Sequence, residues 1–251
     1  MRVKSAMSWG LGFVWAVAAL SASADVTVAV ASNFRYPAEE IAAQFEEDTG
    51  TSVKLVFGSS GKHAAGIING APFDVFLSAD TSRPDRLDYE GLVERRAPYA
   101  IGRIALYAPD QVDGDSARAL LESGEFRKLA VADARLAPYG KAAMQALSAK
   151  QLDIPASKIV IGENIGQTFG FVFSGNAELG IVALSQIMAL PEADQHGFMV
   201  IDPSLHDPIQ QDAVLLTQAV SPREAAGFFD YLLSDATLPV LEKFGYTQAR
   251  P

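Results

Sequence analysis

Residues 25–61 read DVTVAVASNFRYPAEEIAAQFEEDTGTSVKLVFGSSG, and this stretch decides the fold. Positions 25–31 form a β-branched run. After Ser32-Asn33-Phe34-Arg35-Tyr36-Pro37, the residues Ile41, Ala42 and Phe45 recur at helical spacing, with Glu39 and Glu40 near the start of that helix and Gly50 closing it. A second strand is expected over 52–57, and Gly58-Ser59-Ser60-Gly61-Lys62 leads into a helix over 63–69 with Ala64, Ile67 and Ile68 on one side. Strand, helix, strand and helix in succession is the pattern of a parallel sheet in an α/β protein.

The pattern continues outward. A third strand is expected over 74–78, a polar helix from Asp80 to Gly91, and a long strand over 101–108 ending at Pro109. Glu94-Arg95-Arg96 reads as a solvated loop. A second alternating series follows, with strands over 129–132, 159–161 and 180–183 and helices over 138–149 and 166–174; a late strand over 213–217 precedes two terminal helices over 221–233 and 237–244. Two such series with a late return predict two α/β lobes, with the chain passing between them more than once. The chain should cross near 101–107 and 210–215, giving one lobe from 25–104 with 212–251 and the other from 105–211. Solenoid repeats and low-complexity segments are absent from the sequence.

The first 24 residues stand apart. Arg2 and Lys4 precede a mostly apolar stretch from Met7 to Leu20, broken by Ser8, Gly10 and Gly12, and Ser21-Ala22-Ser23-Ala24 follows. These are the three zones of a secretory signal peptide, with cleavage expected after Ala24, and the apolar stretch is short of a membrane span. The whole chain of 251 residues carries a net charge of −10, and losing the two leader cations takes it to −12. That balance argues against a nucleic-acid binder, which needs clustered Lys and Arg to neutralise phosphates. With 49% hydrophobic residues the chain can build real cores, and with no cysteine it has no disulfide, thiolate metal site or cysteine nucleophile. His63, His196 and His206 lack metal-ligand spacing and read as surface or packing residues.

Two of the first three strands end where small hydroxyl or amide residues open a helix, at Ser32-Asn33 and Ser59-Ser60. Unpaired N–H groups and the positive end of the helix dipole at such a point cradle an anion, although the same residues also suit ordinary N-capping. The second series repeats the arrangement at Ala137-Pro138-Tyr139-Gly140 and at Asn164-Ile165-Gly166-Gln167. The glycine-rich run 58–62 fits neither a phosphate loop nor a nucleophile elbow, since Val56 stands where the first glycine belongs and no Gly-x-Ser-x-Gly spans it. An exported hydrolase using Ser59 or Ser60 with Lys62 or His63 is the alternative from another class, with no third orienting group to name.

Taken together, Ala-Ser-Asn-Phe at 31–34, Gly-Ser-Ser-Gly at 58–61, the run from Asn69 to Asp80, Ala-Pro-Tyr-Gly at 137–140, Asn-Ile-Gly-Gln at 164–167 and the run from Ser174 to Gln186 resemble the molybdate-binding component of bacterial ABC transporters, a type II periplasmic binding protein. The resemblance covers residues 25–248, and it implies that each α/β lobe is a mixed sheet flanked by helices, with the ligand in the cleft between them. It implies a monomeric periplasmic receptor for molybdate or tungstate, delivering to a membrane permease, with no enzymatic activity and no cofactor. It further implies that hydroxyl and N–H donors at Ser32, Asn33, Ser60, Tyr139 and Ile165 hold the oxyanion, with Ile165 acting through its backbone and no side chain coordinating the metal directly. One family pattern places a tyrosine after the late Gly-Ile-Val, where this chain has Ala183, so the resemblance assigns the phenol donor to Tyr139. A receptor for sulfate or phosphate is the alternative within the class.

Overall fold

The computed structural model describes residues 25–249, so the expected signal peptide over 1–24 lies outside the described residues. The first lobe is built on β1 (Val26–Ala31), β2 (Val53–Gly58), β3 (Val75–Leu77) and β4 (Val93–Gly102), with α1 (Arg35–Thr49), α2 (Ser60–Ile68) and α3 (Ser82–Tyr89) between them. The second holds β5 (Ile104–Tyr107), α4 (Gly114–Ser123), β6 (Leu129–Ala132), α5 (Pro138–Ala149), β7 (Ile159–Gly162), α6 (Ile165–Phe173), β8 (Leu179–Ala183), α7 (Leu184–Met188) and β9 (Phe198–Val200). The chain then returns to the first lobe with β10 (Ile209–Leu216), α8 (Pro222–Leu232) and α9 (Leu238–Lys243).

The strand orders are β2-β1-β3-β10-β4 and β7-β6-β8-β5-β9. In the first sheet β1 pairs in parallel with β2 and β3, while β10 runs antiparallel to β3 and β4. In the second β6 pairs in parallel with β7 and β8, while β5 runs antiparallel to β8 and β9. The β-branched composition of β1 is explained by burial on both sides. Val26, Val28 and Val30 pack with Phe34, Ile41, Phe45, Phe228 and Phe229, while Ala29 packs on the opposite face with Ile67, Phe76 and Leu87. The second sheet is covered likewise. Leu106, Val131 and Ile181 meet Ala143 and Leu147 of α5, and Ala105, Tyr107 and Val182 meet Phe169 and Val172 of α6. This is the fold of the type II periplasmic binding proteins.

Several expectations are corrected. The apolar run 101–108 is two strands: Arg103 alone separates β4 from β5, and the chain changes sheets there. Glu94-Arg95-Arg96 lies inside β4, not in a loop. Its charges are tolerable there because β4 is the sheet's edge; Arg95 pairs with Asp230, and Arg96 pairs with Asp85 and with the buried Asp212. The return passage falls between Val200 and Ile209, just ahead of the stretch named from sequence. Helices α4 and α7 and strand β9 are additional elements.

The parallel strands of both sheets send their carboxyl ends toward the junction, which is where ligands bind in open α/β sheets. The lobes touch there. The Gly61 N–H donates to Leu136 O at 3.0 Å, the Arg83 guanidinium donates to Arg135 O at 2.7 Å, and Lys62 pairs with Glu163 at 2.7 Å. Glycine at position 61 eases this approach, because a Cβ would lie 3.0 Å from that same carbonyl oxygen and would push it back.

Candidate functional site

Ser32, Asn33, Ser60, Tyr139 and Ile165 line one cavity between the lobes, with Ser59, Ala79, Ala137 and Asn164 among its other walls. The cavity is small, with room for about one water molecule between the walls as they stand. Its lining contains no charged side chain.

Each wall is the start of a helix. Ser60 is the first residue of α2, and its neighbour Ser59 is the N-cap whose Oγ accepts from the Lys62 N–H at 3.4 Å. The Ser60 Oγ accepts from the Ala79 N–H at 2.9 Å, which leaves the hydroxyl proton free to be donated. On the opposite lobe α5 starts at Pro138, which has no N–H, so Tyr139 carries the helix's first donor; Ile165 opens α6 behind the Asn164 cap, whose Oδ1 accepts from the Gln167 N–H at 3.0 Å. The Gln186 amide donates to Ile165 O at 3.0 Å and holds that corner. Asn33 sits in the single 3-10 turn Ser32–Phe34 that runs directly into α1. Among the described residues the N–H groups of Asn33, Ser60, Tyr139 and Ile165 have no protein acceptor, as expected for the first turn of a helix.

Side chains do not all follow the sequence expectation. Ser32 and Asn33 are not caps: the Ser32 hydroxyl donates to Gly58 O at 2.9 Å, and the Asn33 amide donates to Gln211 Oε1 at 2.8 Å and to the Tyr246 hydroxyl at 3.0 Å. The Tyr139 phenol accepts from Gln211 Nε2 at 3.0 Å and lies beside the Tyr246 phenol; accepting occupies its oxygen and leaves its proton for an acceptor. Its backbone N–H is open as well. Burial, reinforced by the neighbouring phenols, raises the Tyr139 pKa well above the ordinary value, so the phenol stays neutral.

A buried polar cluster thus underlies the cavity. The Gln211 Oε1 also accepts from the Tyr99 hydroxyl at 2.8 Å, and Asn33 O accepts from Ser185 Oγ at 2.7 Å and from the Tyr246 hydroxyl at 2.8 Å. Sequence reading missed Gln211, Tyr99, Ser185 and Tyr246. The one available signal is the polar run Gln210-Gln211-Asp212 inside a strand whose remaining residues are apolar.

The residues of the hydrolase alternative are engaged elsewhere. Lys62 faces Glu163, and buried His63 donates from Nε2 to Val30 O at 3.1 Å while packing on Phe73 and Phe76, in line with its reading as a packing residue. Burial lowers its pKa from 6.5, against the raising effect of that carbonyl. Asp80 caps α3, accepting from the Arg83 N–H at 3.3 Å.

Two lobes joined through adjacent strands, with helix starts from each converging on one small cavity, define a solute-binding protein. In agreement, residues 26–247 match the model of the family described as bacterial extracellular solute-binding protein, and the chain belongs to that family. It is 40% identical over 233 residues to the molybdate-binding protein ModA of Azotobacter vinelandii, covering 92% of each chain. The ModA of Rhodobacter capsulatus is 38% identical over 241 residues, covering 94% of this chain and 93% of its own. Among solved structures, the Azotobacter vinelandii periplasmic molybdate-binding protein superposes with a TM-score of 0.83 at 32% identity, covering 90% of this chain and all of that one.

Proposed function

We propose that this chain is a periplasmic receptor that binds molybdate, accepts tungstate nearly as well, and delivers the anion as a monomer to the permease of an ABC transporter. The observation that carries the reading is the convergence of open N–H donors from two elements of each lobe on a cavity lined by no charged side chain. In this reading Ser60 donates through its hydroxyl and backbone N–H, Asn33 and Ile165 donate through the backbone, Tyr139 donates through its phenol, and Ser32 contributes its hydroxyl by turning away from Gly58. The names of the Azotobacter and Rhodobacter relatives support the choice of anion.

Oriented neutral donors suffice for a dianion because they cost no reorganisation and sit in a closed, low-dielectric site. The negative overall charge is no obstacle, since it is screened over about 10 Å at moderate salt. A donor-only site rejects hydrogen phosphate, whose proton finds no acceptor, and leaves sulfate to be separated by size. The geometry favours binding over hydrolysis, because Lys62 and His63 each have a partner other than a serine.

The test is a thermal-shift panel with molybdate, tungstate, sulfate, phosphate and chromate, followed by calorimetric titration. A ligand present at about 100 times its Kd raises stability by about 2.7 kcal/mol, so molybdate and tungstate should give the largest shifts. A larger shift with sulfate or phosphate would reassign the ligand, and no shift with any anion would overturn the reading.

A further inference from the structure

Gln211 makes no contact that the anion-binding reading requires, yet it ties the two halves of the site together. It lies on β10, between the lobes' walls, and is fully buried. Its Oε1 accepts from Asn33 of the first lobe's donor turn and from Tyr99 of β4; its Nε2 donates to Tyr139, the second residue of α5 in the other lobe. One planar amide thus fixes the spacing between an N–H wall of one lobe and an N–H wall of the other. Gly102, the last residue before the chain changes sheets, lies directly under this bond: a Cβ there would fall 2.0 Å from the Tyr139 Oη and 2.6 Å from the Gln211 Nε2. The absence of a side chain at the hinge is what lets amide and phenol meet. Every buried side-chain polar atom among the described residues has a partner, so the cluster has one satisfied arrangement and little freedom to reset.

We propose that Gln211 is a positioning residue that sets the separation of the two donor walls, and thereby the size of oxyanion on which the lobes close. This rests on the anion-binding reading above. With the amide in place the lobes close to one fixed separation of the walls; once the amide is lost, the walls can settle onto anions of other sizes, and discrimination falls. A merely structural role would weaken all anions together and leave their ratio unchanged.

The experiment is calorimetric titration of wild type, Gln211→Leu and Gly102→Ala with molybdate and with sulfate, alongside thermal melting without ligand. Gly102→Ala breaks the same bond by crowding, with every polar group retained, so it stands in if Gln211→Leu does not fold. The expected result is a molybdate-to-sulfate affinity ratio narrowed about tenfold or more in both variants. A ratio equal to that of wild type in both, whatever the melting temperatures, overturns the proposal while leaving the receptor reading intact. Wild-type protein that takes up neither anion overturns the receptor reading and this inference with it.

Discussion

Replacing Ser60 with alanine separates two consequences of one hydroxyl. The side chain is buried, and its Oγ accepts from the Ala79 N–H at 2.9 Å while its proton points to no protein acceptor. Removing it leaves a buried N–H unpaired, which costs about 1–3 kcal/mol of stability. For a chain of this size each kcal/mol moves the midpoint by about 2–4 °C, so the ligand-free protein should melt roughly 2–12 °C lower. Removing it also deprives the anion of a donor, and a hydrogen bond to a charged group is worth about 1.5–3 kcal/mol. That corresponds to molybdate affinity weaker by roughly 10- to 150-fold. The two quantities come from independent assays, melting without ligand and titration with it. Ser59→Ala is the internal contrast: its Oγ serves the α2 N-cap, so stability should fall by about 0.5–2 kcal/mol while affinity stays within about threefold of wild type. A Ser60→Ala protein that melts early yet binds molybdate within twofold of wild type would refute the donor role assigned to this hydroxyl.

Tyr139→Phe removes both the phenol donor and the acceptor of the Gln211 bond, so molybdate binding should weaken by about 1.5–3 kcal/mol; affinity unchanged by titration would take the phenol out of the site. The Lys62–Glu163 pair spans the cleft mouth with about half of each side chain exposed. Glu163→Gln should therefore raise the dissociation constant no more than about fivefold at low salt, and the difference should vanish by about 1 M salt. His63 has a folded pKa below its unfolded value of 6.5, so the unfolded chain takes up the proton first. Its contribution is intact above pH 6.5 and is lost as pH falls from there toward the folded pKa; urea titrations of His63→Leu should lack that increment, which an unchanged pH profile would contradict.

The sequence exposes what repeats locally. The β-branched run at Val26–Ala31, the helix stripe of Ile41, Ala42 and Phe45, and the Gly-Ser-Ser-Gly turn all declare themselves through neighbours in the chain, and with them the α/β alternation and the strand ends where the cavity forms. Strand β4 was hidden because Arg95 and Arg96 look like solvated charges until they meet Asp230 and Asp212, more than a hundred residues further along the chain. The division at Arg103 was hidden because the apolar run continues through it and only sheet membership changes. At Tyr139 the residue was legible and its partner was not: the amide that donates to its phenol is Gln211, 72 residues away.

The position of β10 in the middle of the first sheet has a consequence for how the chain is made. β10 lies between β3 and β4, so a chain emerging N-terminus first has a gap in that sheet until residue 216 has appeared. Strands β1 to β4 comprise nearly everything needed for the first lobe and still cannot close it, since the joining strand follows the whole second lobe. Such late, long-range pairing is slow to form. The first sheet and the donor cluster around Gln211 are therefore completed together, and only once β10 has appeared.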